Sequence, residues 1–582
     1  MQQPMNRASL ILGFVAGIFL TPRHSCAQYT SNFQTNIISG VTSNWSGNFY
    51  YNIGGIGDVL LIQGGGVLIN GGGELGLGNG NSNNFALVTD NGSIWSNSLL
   101  YAGNGGAHNS LVISNGGQVI NSGFCIVGNG VLPTIGSNIV RITGVGSVLS
   151  NGNSLSIGWY FAANRMVIEN GGQLIGVNNA TLGEGTIFSS NNSVVVKDLG
   201  STWINRGQIA LNGIGSSLVV SNGGLVTDSY GYLGYYFGSS NTSALVTGAG
   251  SVWSNQQDLY VGNFSSSNSL VVSGGGLVNS ANAFVGYDSS SNNSIIVTDP
   301  GSLWSNRGPL GISSSAFNSL VISNGGQVIN LAGGFFIRDK IVLTGTGSIW
   351  DSGILHFSGG SLLISNNAYL ANSIAYAGFD SFNSNLQVRV ADGGGWQNDA
   401  LYIGYQGTSN SVVVAGGSVS AANLVVGFAG TSCNSLLQVD SGSVVVTNAT
   451  HNAVLEVRRG NLVLNGGTIQ ADVLVMTNSC ASLVHTGGTL IVGSVVLDPN
   501  AFRITSVIRQ GNDINVSWLM GPGQSNSLQA ATGDASGGYN TNGFTDIFVV
   551  TNNPTAGTPT NYLDVSAGTN APARYYRARL VP

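Results

Sequence analysis

Six tryptophans, Trp95, Trp203, Trp253, Trp304, Trp350 and Trp396, recur in one local phrase, and Leu149 takes their place once. The spacings along this series are 54, 54, 50, 51, 46 and 46 residues. Three tyrosines stand in a second phrase, each two places before a glycine: Leu100-Tyr101-Ala102-Gly103, Leu259-Tyr260-Val261-Gly262 and Leu401-Tyr402-Ile403-Gly404. Exposed in a regular row, such rings make an aromatic track that can stack on sugar rings. Turned inward, the indoles are corner packing. These nine residues are the candidate glycan contacts.

Other chemistry fits the sequence poorly. Carbohydrate-cleaving sites need clustered carboxylates, often with a bound cation. Here Asp90, Asp198 and Asp299 occupy the place that Gly144, Gly248 and Gly345 hold in sister repeats. A position that trades aspartate for glycine reads as a turn, since both tolerate a left-handed backbone or an Asx turn. Asp258 and Asp399, each just before a Leu-Tyr pair, also keep step with the repeat. One charged cluster does not: Arg338-Asp339-Lys340, followed by Asp351 and His356, which reads as a local salt-bridged turn. His108, His356, His451 and His485 have no metal-ligand spacing. The reading is of a chain with no catalytic residues, no cofactor and no metal.

The elements that position these residues are short strands. Glycine accounts for 89 of 582 residues and charged residues for 7%, while hydrophobic residues reach 42%. Disorder goes with low hydrophobicity and high charge, so this chain should fold. The glycines lack a strict every-third-residue period, which excludes collagen. Runs of Lys, Glu and Ala at helical spacing are absent, which predicts an all-β protein punctuated by Gly, Asn and Ser. With 17 basic against 23 acidic residues, and only Lys197 and Lys340 as lysines, no basic stripe exists to hold nucleic acid.

The tryptophan phrase reads Val88–Asn97 (VTDNGSIWSN), Val246–Asn255 (VTGAGSVWSN) and Val297–Asn306 (VTDPGSLWSN) in three of its copies. A partner phrase runs in step, as in Leu111–Asn121 and Leu320–Asn330, both LVISNGGQVIN. Each repeat of roughly 50 residues holds about six short strands, which fits two triangular coils. The fold class expected is therefore an all-β right-handed parallel β-helix followed by a small antiparallel β-sandwich. Stacked at about 4.8 Å per coil, about 18 coils give a rod of roughly 90 Å. Trp45 is expected in an opening copy of the repeat, and Asn and Ser at repeated positions are expected to form hydrogen-bonded ladders.

Four segments follow. Residues 1–27 read as a signal peptide, with Arg7, an apolar run from Ser9 to Leu20, and Ser25-Cys26-Ala27 as cleavage site. Cys26 invites a lipoprotein reading, but Arg23 is not the apolar residue a lipobox carries. Residues 28–404 carry the Trp-marked repeats, residues 405–500 degenerate coils, and residues 501–582 a small β-sandwich in which Trp518 and Tyr576 are core. The alternating Arg574, Arg577 and Arg579 read as the solvated face of an edge strand. Of Cys125, Cys433 and Cys480, the last two could pair, though isolated thiols fit the wide spacing better. No segment of the mature chain reads as a membrane span.

The phrase pair V-T-G-x-G-S-x-W and G-G-x-V resembles the repeat shared by bacterial autotransporter (type V) passengers and PEP-CTERM surface proteins, strongly from Asn36 to Gly404 and weakly beyond. The resemblance implies a secreted β-helical stalk. The sequence lacks two of that family's hallmarks, a terminal amphipathic β-barrel and a Val-Pro-Glu-Pro sorting tail. The C-terminal segment resembles the fibronectin type III-like modules of bacterial surface proteins. The functional expectation is a secreted or cell-surface structural or adhesin-like solenoid of a Gram-negative-type bacterium, without catalysis. Its expected partners are extracellular polysaccharide or cell-surface components. Two rivals are a glycan-binding protein using the aromatic column and a β-helical polysaccharide lyase or glycoside hydrolase.

Overall fold

Strands of three to five residues bounded by glycine cannot bury an apolar face alone, and stacking on a neighbouring coil is the way they do so. The computed structural model describes residues 31–581 apart from 131–135, 185–188, 289, 313–316, 383–384, 433, 479, 498–502, 521–524, 537, 552–557 and 570–572. The signal segment and Cys433 lie outside the described residues. Forty-eight strands, from Thr35–Ser39 to Thr489–Leu497, join into one parallel solenoid of about 18 turns.

One coil comprises Ser319–Ser323 on a first face, Gln327–Asn330 on a second and Gly334–Ile337 on a third. Each strand pairs in parallel with its equivalent one coil away: Ser319 lies opposite Ser294 before it and Lys340 after it. The tryptophans mark alternate coils. Trp304 pairs with Val278 and Val328, and Trp253 with Val226 and Val278, so two coils make one sequence repeat. Trp45 is an exception. It pairs with Asn70, while Ser43, opposite Leu68, holds the place in register with Trp95; the opening copy therefore has serine where tryptophan was expected. The strands after residue 404, such as Ser411–Ser420 and Ser435–Val446, continue the same pairing without tryptophan.

Inside the coil, apolar and half-exposed residues alternate, as in Ser319–Ser323, where Leu320 and Ile322 are buried. Two different demands fix the corner after the first face. Asp299 and Asn324 adopt φ of 75° and 50°, as the aspartate-for-glycine exchange predicts. Gly326 is needed for space instead, since a Cβ there would stand 2.4 Å from the Val297 carbonyl oxygen.

A buried amide ladder holds the corner before the first face. The Oδ1 of Asn109, Asn138, Asn164, Asn192, Asn293 and Asn318 each accepts the backbone N–H and the side-chain amide of the preceding coil's asparagine at 2.9–3.1 Å. Such satisfied networks specify register, because a slip would strand every amide in an apolar interior. Gly262, at φ 78°, ends a third-face strand against this ladder; a Cβ there would be 2.3 Å from the Asn293 amide nitrogen.

The C-terminal module is built from two three-stranded antiparallel sheets. Arg503–Gln510, Asp513–Leu519 and Pro559–Asp564 form one; Thr545–Thr551, Ser525–Thr532 and Arg574–Val581 form the other. Val516, Trp518, Met520 and Leu528 are its core, with Tyr576 packed against them. The terminal arginines are tethered, not simply solvated. Arg574 pairs with Asp564, Arg577 bonds Gln529 and lies 4.3 Å from the Phe544 ring centroid, and Arg579 pairs with Asp546.

Candidate functional site

All six tryptophans of the column are buried, at 0–1% exposure. Each sits at an inward position of a second-face strand, where the valine or leucine of the neighbouring coils leaves room for an indole. Trp95, Trp350 and Trp396 donate Nε1–H to Asn70, Asn330 and Asn372 at 2.7–2.8 Å, and Trp253 donates to Asp228 at 3.1 Å. Trp203 and Trp304 have no partner for Nε1 among the described residues. No ring face of this column is open to a ligand, which corrects the sugar-track expectation for Trp95, Trp203, Trp253, Trp304, Trp350 and Trp396. The column is packing.

The tyrosines behave differently. Tyr101, Tyr260 and Tyr402 are half-buried and point outward from the third face. Register places Tyr260 between Tyr232 and Phe284, and Tyr402 after Phe335, His356 and Tyr376. These rings stack along the solenoid axis. Centroids are 5.0 Å apart for both Tyr232–Tyr260 and Tyr260–Phe284, then 4.7, 5.1 and 5.2 Å along Phe335–His356–Tyr376–Tyr402. Tyr101 shares the column but has Glu74 and Ile126 as its neighbours in register.

Sequence reasoning missed Tyr232, Phe284, Phe335, His356 and Tyr376. The available signal was the place two residues before the strand-ending glycine, occupied by Tyr232, Tyr260, Phe284, Tyr376 and Tyr402 before Gly234, Gly262, Gly286, Gly378 and Gly404.

Residues just after those glycines add an outer row. Tyr235, Tyr287, Phe379 and Tyr405 each stand at 62–78° to an inner ring they touch. Phe379, Tyr405 and Phe428 lie nearly parallel to one another, 5.9 and 4.9 Å apart. The Arg458 guanidinium lies 4.8 Å from the Phe428 centroid and is held there by Glu456 at 2.7 and 2.8 Å. That cation–π contact closes one end of the aromatic face.

Burial sets the protonation of several rungs. Burial, reinforced by Tyr235 and other neighbours, pushes the Tyr232 phenol up to about 12, and burial with Asp258 raises Tyr260 further. Burial lowers His356, so it stacks as a neutral imidazole. Asp258 accepts hydrogen bonds from the Tyr260 hydroxyl at 3.3 Å and the Asn282 amide at 2.6 Å.

The other charged candidates are spent on the fold. Asp90 and Asp299 accept the backbone N–H of Gly64 and Gly274 in the preceding coil at 3.0 and 3.1 Å. The salt-bridged turn expected at Arg338-Asp339-Lys340 does not form. Asp339 turns inward and accepts the N–H groups of Asn318 and Ile337 at 3.3 and 3.2 Å, while Arg338 and Lys340 stay exposed. Asp351 lies on the second face and His356 on the third, so the cluster is dispersed. Buried Glu169 has cationic partners. Burial opposes its charge, but Lys197, at 3.0 Å, and Arg141 outweigh that and lower its pKa. Burial pushes the Cys125 thiol up to about 12, which leaves it unreactive.

Among the described residues, no group of three His, Cys, Asp or Glu side chains is placed to hold a metal ion. No helix among them is long and apolar enough to cross a membrane. No protein-family model matches the chain, and no curated protein matches its sequence.

Proposed function

We propose that this chain is an exported, non-catalytic scaffold of structural or adhesin-like type, displayed outside a Gram-negative-type cell in the manner of an autotransporter passenger or a PEP-CTERM-associated stalk. The unbroken stack of 48 parallel strands carries this reading. A solenoid of about 18 turns extends roughly 90 Å at ~4.8 Å per turn and offers the same surface positions coil after coil. Its ionisable groups support the reading, because Asp90, Asp299 and Asp339 build corners and ladders in place of a reactive cluster.

Two measurements test it. Solution scattering on residues 28–582 should give a rod at least as long as the solenoid, and protease added to intact expressing cells should degrade the protein. Protection of the chain inside the cell sinks the surface reading. Release of unsaturated or reducing-end products from neutral or uronic polysaccharides overturns the non-catalytic one.

A further inference from the structure

Three successive coils leave a polar hollow at the corner that ends the second face. Its walls come from the strands Val252–Asn255, Leu277–Ser280 and Leu303–Asn306 and the residues just after them. It encloses about 480 Å³, within the roughly 300–1,000 Å³ of small-molecule sites. Ser254, Asn279 and Ser305 stand in register along one side and are half-exposed. Asn255 and Ser280, at 2% and 1% exposure, lie deepest. Both are held in place: Asn255 donates its amide to the Asn279 carbonyl at 3.2 Å, and Ser280 Oγ donates to Asn306 Oδ1.

Arg307 stands at the rim. Its backbone N–H bonds the Ser280 carbonyl one coil back, at 3.1 Å, and its guanidinium reaches a further coil to the Gln256 carbonyl at 2.6 Å. The corner between them holds Ala281, whose side chain is a single methyl. One bond to a carbonyl fixes the guanidinium and leaves the rest of its N–H fork unspent. Among the described residues no ion pair includes Arg307, and neighbouring Asp258 gives its oxygens to Tyr260 and Asn282.

The lining selects the occupant. Hydroxyl and amide side chains both donate and accept, which suits a sugar's hydroxyls, while a guanidinium fork takes a carboxylate in a bidentate pair. No aromatic side chain lines the hollow, so a nucleobase gains no stacking there. All three strands are paired on both sides, so an extended peptide finds no free edge to join. A ring carrying hydroxyls and one carboxylate meets every group in the wall. A sister corner lacks this chemistry: Arg206 sits between Asn205 and Gly207 as Arg307 sits between Asn306 and Gly308, but exposed Ile204 takes the place of Ser305.

We propose that the corner hollow beneath Arg307 binds a uronic acid residue of an acidic polysaccharide. This rests on the adhesin-like reading and names its ligand class and site. The test is titration calorimetry on residues 28–582 with oligogalacturonate, oligoglucuronate, their methyl esters and neutral oligosaccharides of the same length. One or both acids should bind, with the matching ester and neutral sugar about tenfold weaker or more. Arg307→Gln should lose the same factor, Arg307→Lys less of it, and Ser305→Ile, which copies the sister corner, should also weaken binding. Arg206→Gln should change nothing, and hydrogen exchange of peptides spanning residues 294–330 should match between Arg307→Gln and the parent. Equal affinity for acid and ester, undiminished binding in Arg307→Gln, a matching loss in Arg206→Gln, displacement by inorganic phosphate at lower concentration than by acetate, or no binding of either acid by the parent overturns the site. Each of those results leaves the rod dimensions measured by scattering untouched, so the scaffold reading is judged separately.

Discussion

Replacing Asp228 by asparagine should stabilise the coils around Trp253, and a sister rung shows why. At Trp396, Asn372 accepts the indole N–H through Oδ1 at 2.8 Å and donates its amide to Asn398 at 2.9 Å. At Trp253 the same place holds a carboxyl. Asp228 Oδ2 accepts the indole at 3.1 Å, but Oδ1 has no partner among the described residues, nor has Oδ1 of Asn255, its partner in register. With the carboxyl ionised, the rung lacks one donor. Burial holds the Asp228 carboxyl well above its ordinary pKa, so the folded state binds a proton that the unfolded chain releases. Stability contributed by this rung is therefore full below about pH 4 and falls as pH rises above the unfolded value toward the folded one. Asparagine supplies the missing donor at every pH. A buried acceptor left unsatisfied costs about 1–3 kcal/mol, which corresponds to roughly 5- to 150-fold in local opening. Long repeat arrays do not unfold in two states, so the assay is hydrogen exchange of peptides spanning residues 225–262, corrected for intrinsic rates. At pH 7 Asp228→Asn should exchange more slowly by that factor, and at pH 4 the two proteins should converge. Faster exchange in the variant at pH 7, or pH-independent protection in the parent, refutes the reasoning.

Three further outcomes are expected. Asp339, 4% exposed, has its carboxyl pushed by burial from 3.8 to about 7, so its coil should weaken as pH rises from about 4 to 7; at ~1.36 kcal/mol per unit that is about 4 kcal/mol, read as faster limited proteolysis near residues 318–343 at pH 8 than at pH 4. Trp304→Ala should destabilise by about 3–5 kcal/mol and Trp304→Leu by clearly less, because Leu149 already occupies the equivalent inward site and the Trp304 indole nitrogen has no partner among the described residues; hydrogen exchange of peptides spanning residues 294–330 compares them. Gly326→Ala should cost more than about 2 kcal/mol where Gly311→Ala is near neutral, and equal hydrogen-exchange protection in the two variants would falsify the difference in space at these glycines.

The sequence made the repeat legible because the tryptophan returns every second coil and its companion phrase returns in phase with it. It also marked the corner chemistry, since Asp299 and Gly345 could exchange only where the backbone turns left-handed. The direction of the tryptophans was hidden. Around Trp253, Asn255 is buried while Val252 and Ser254 are half-exposed, so polarity does not report the strand's inner face. An amide paid into an internal ladder looks, in sequence, like a solvent-facing residue. The outward aromatics beyond Tyr101, Tyr260 and Tyr402 were hidden for a different reason: Tyr, Phe and His alternate there, and Gly311 removes a rung, so residue identity does not repeat although position does.

The coil-by-coil pairing also has a mechanical side. The strands of each coil are paired with those of the coil before and the coil after, as Ser319 is with Ser294 and Lys340, so a pull along the chain from one end meets one coil's strand pairing at a time. Peeling a coil frees about 25 residues, roughly 80 Å of slack at about 3.3 Å per residue. A filament displayed against shear would then lengthen in steps under sustained load, each step relieving tension before the next coil gives way, and rewind when the load drops.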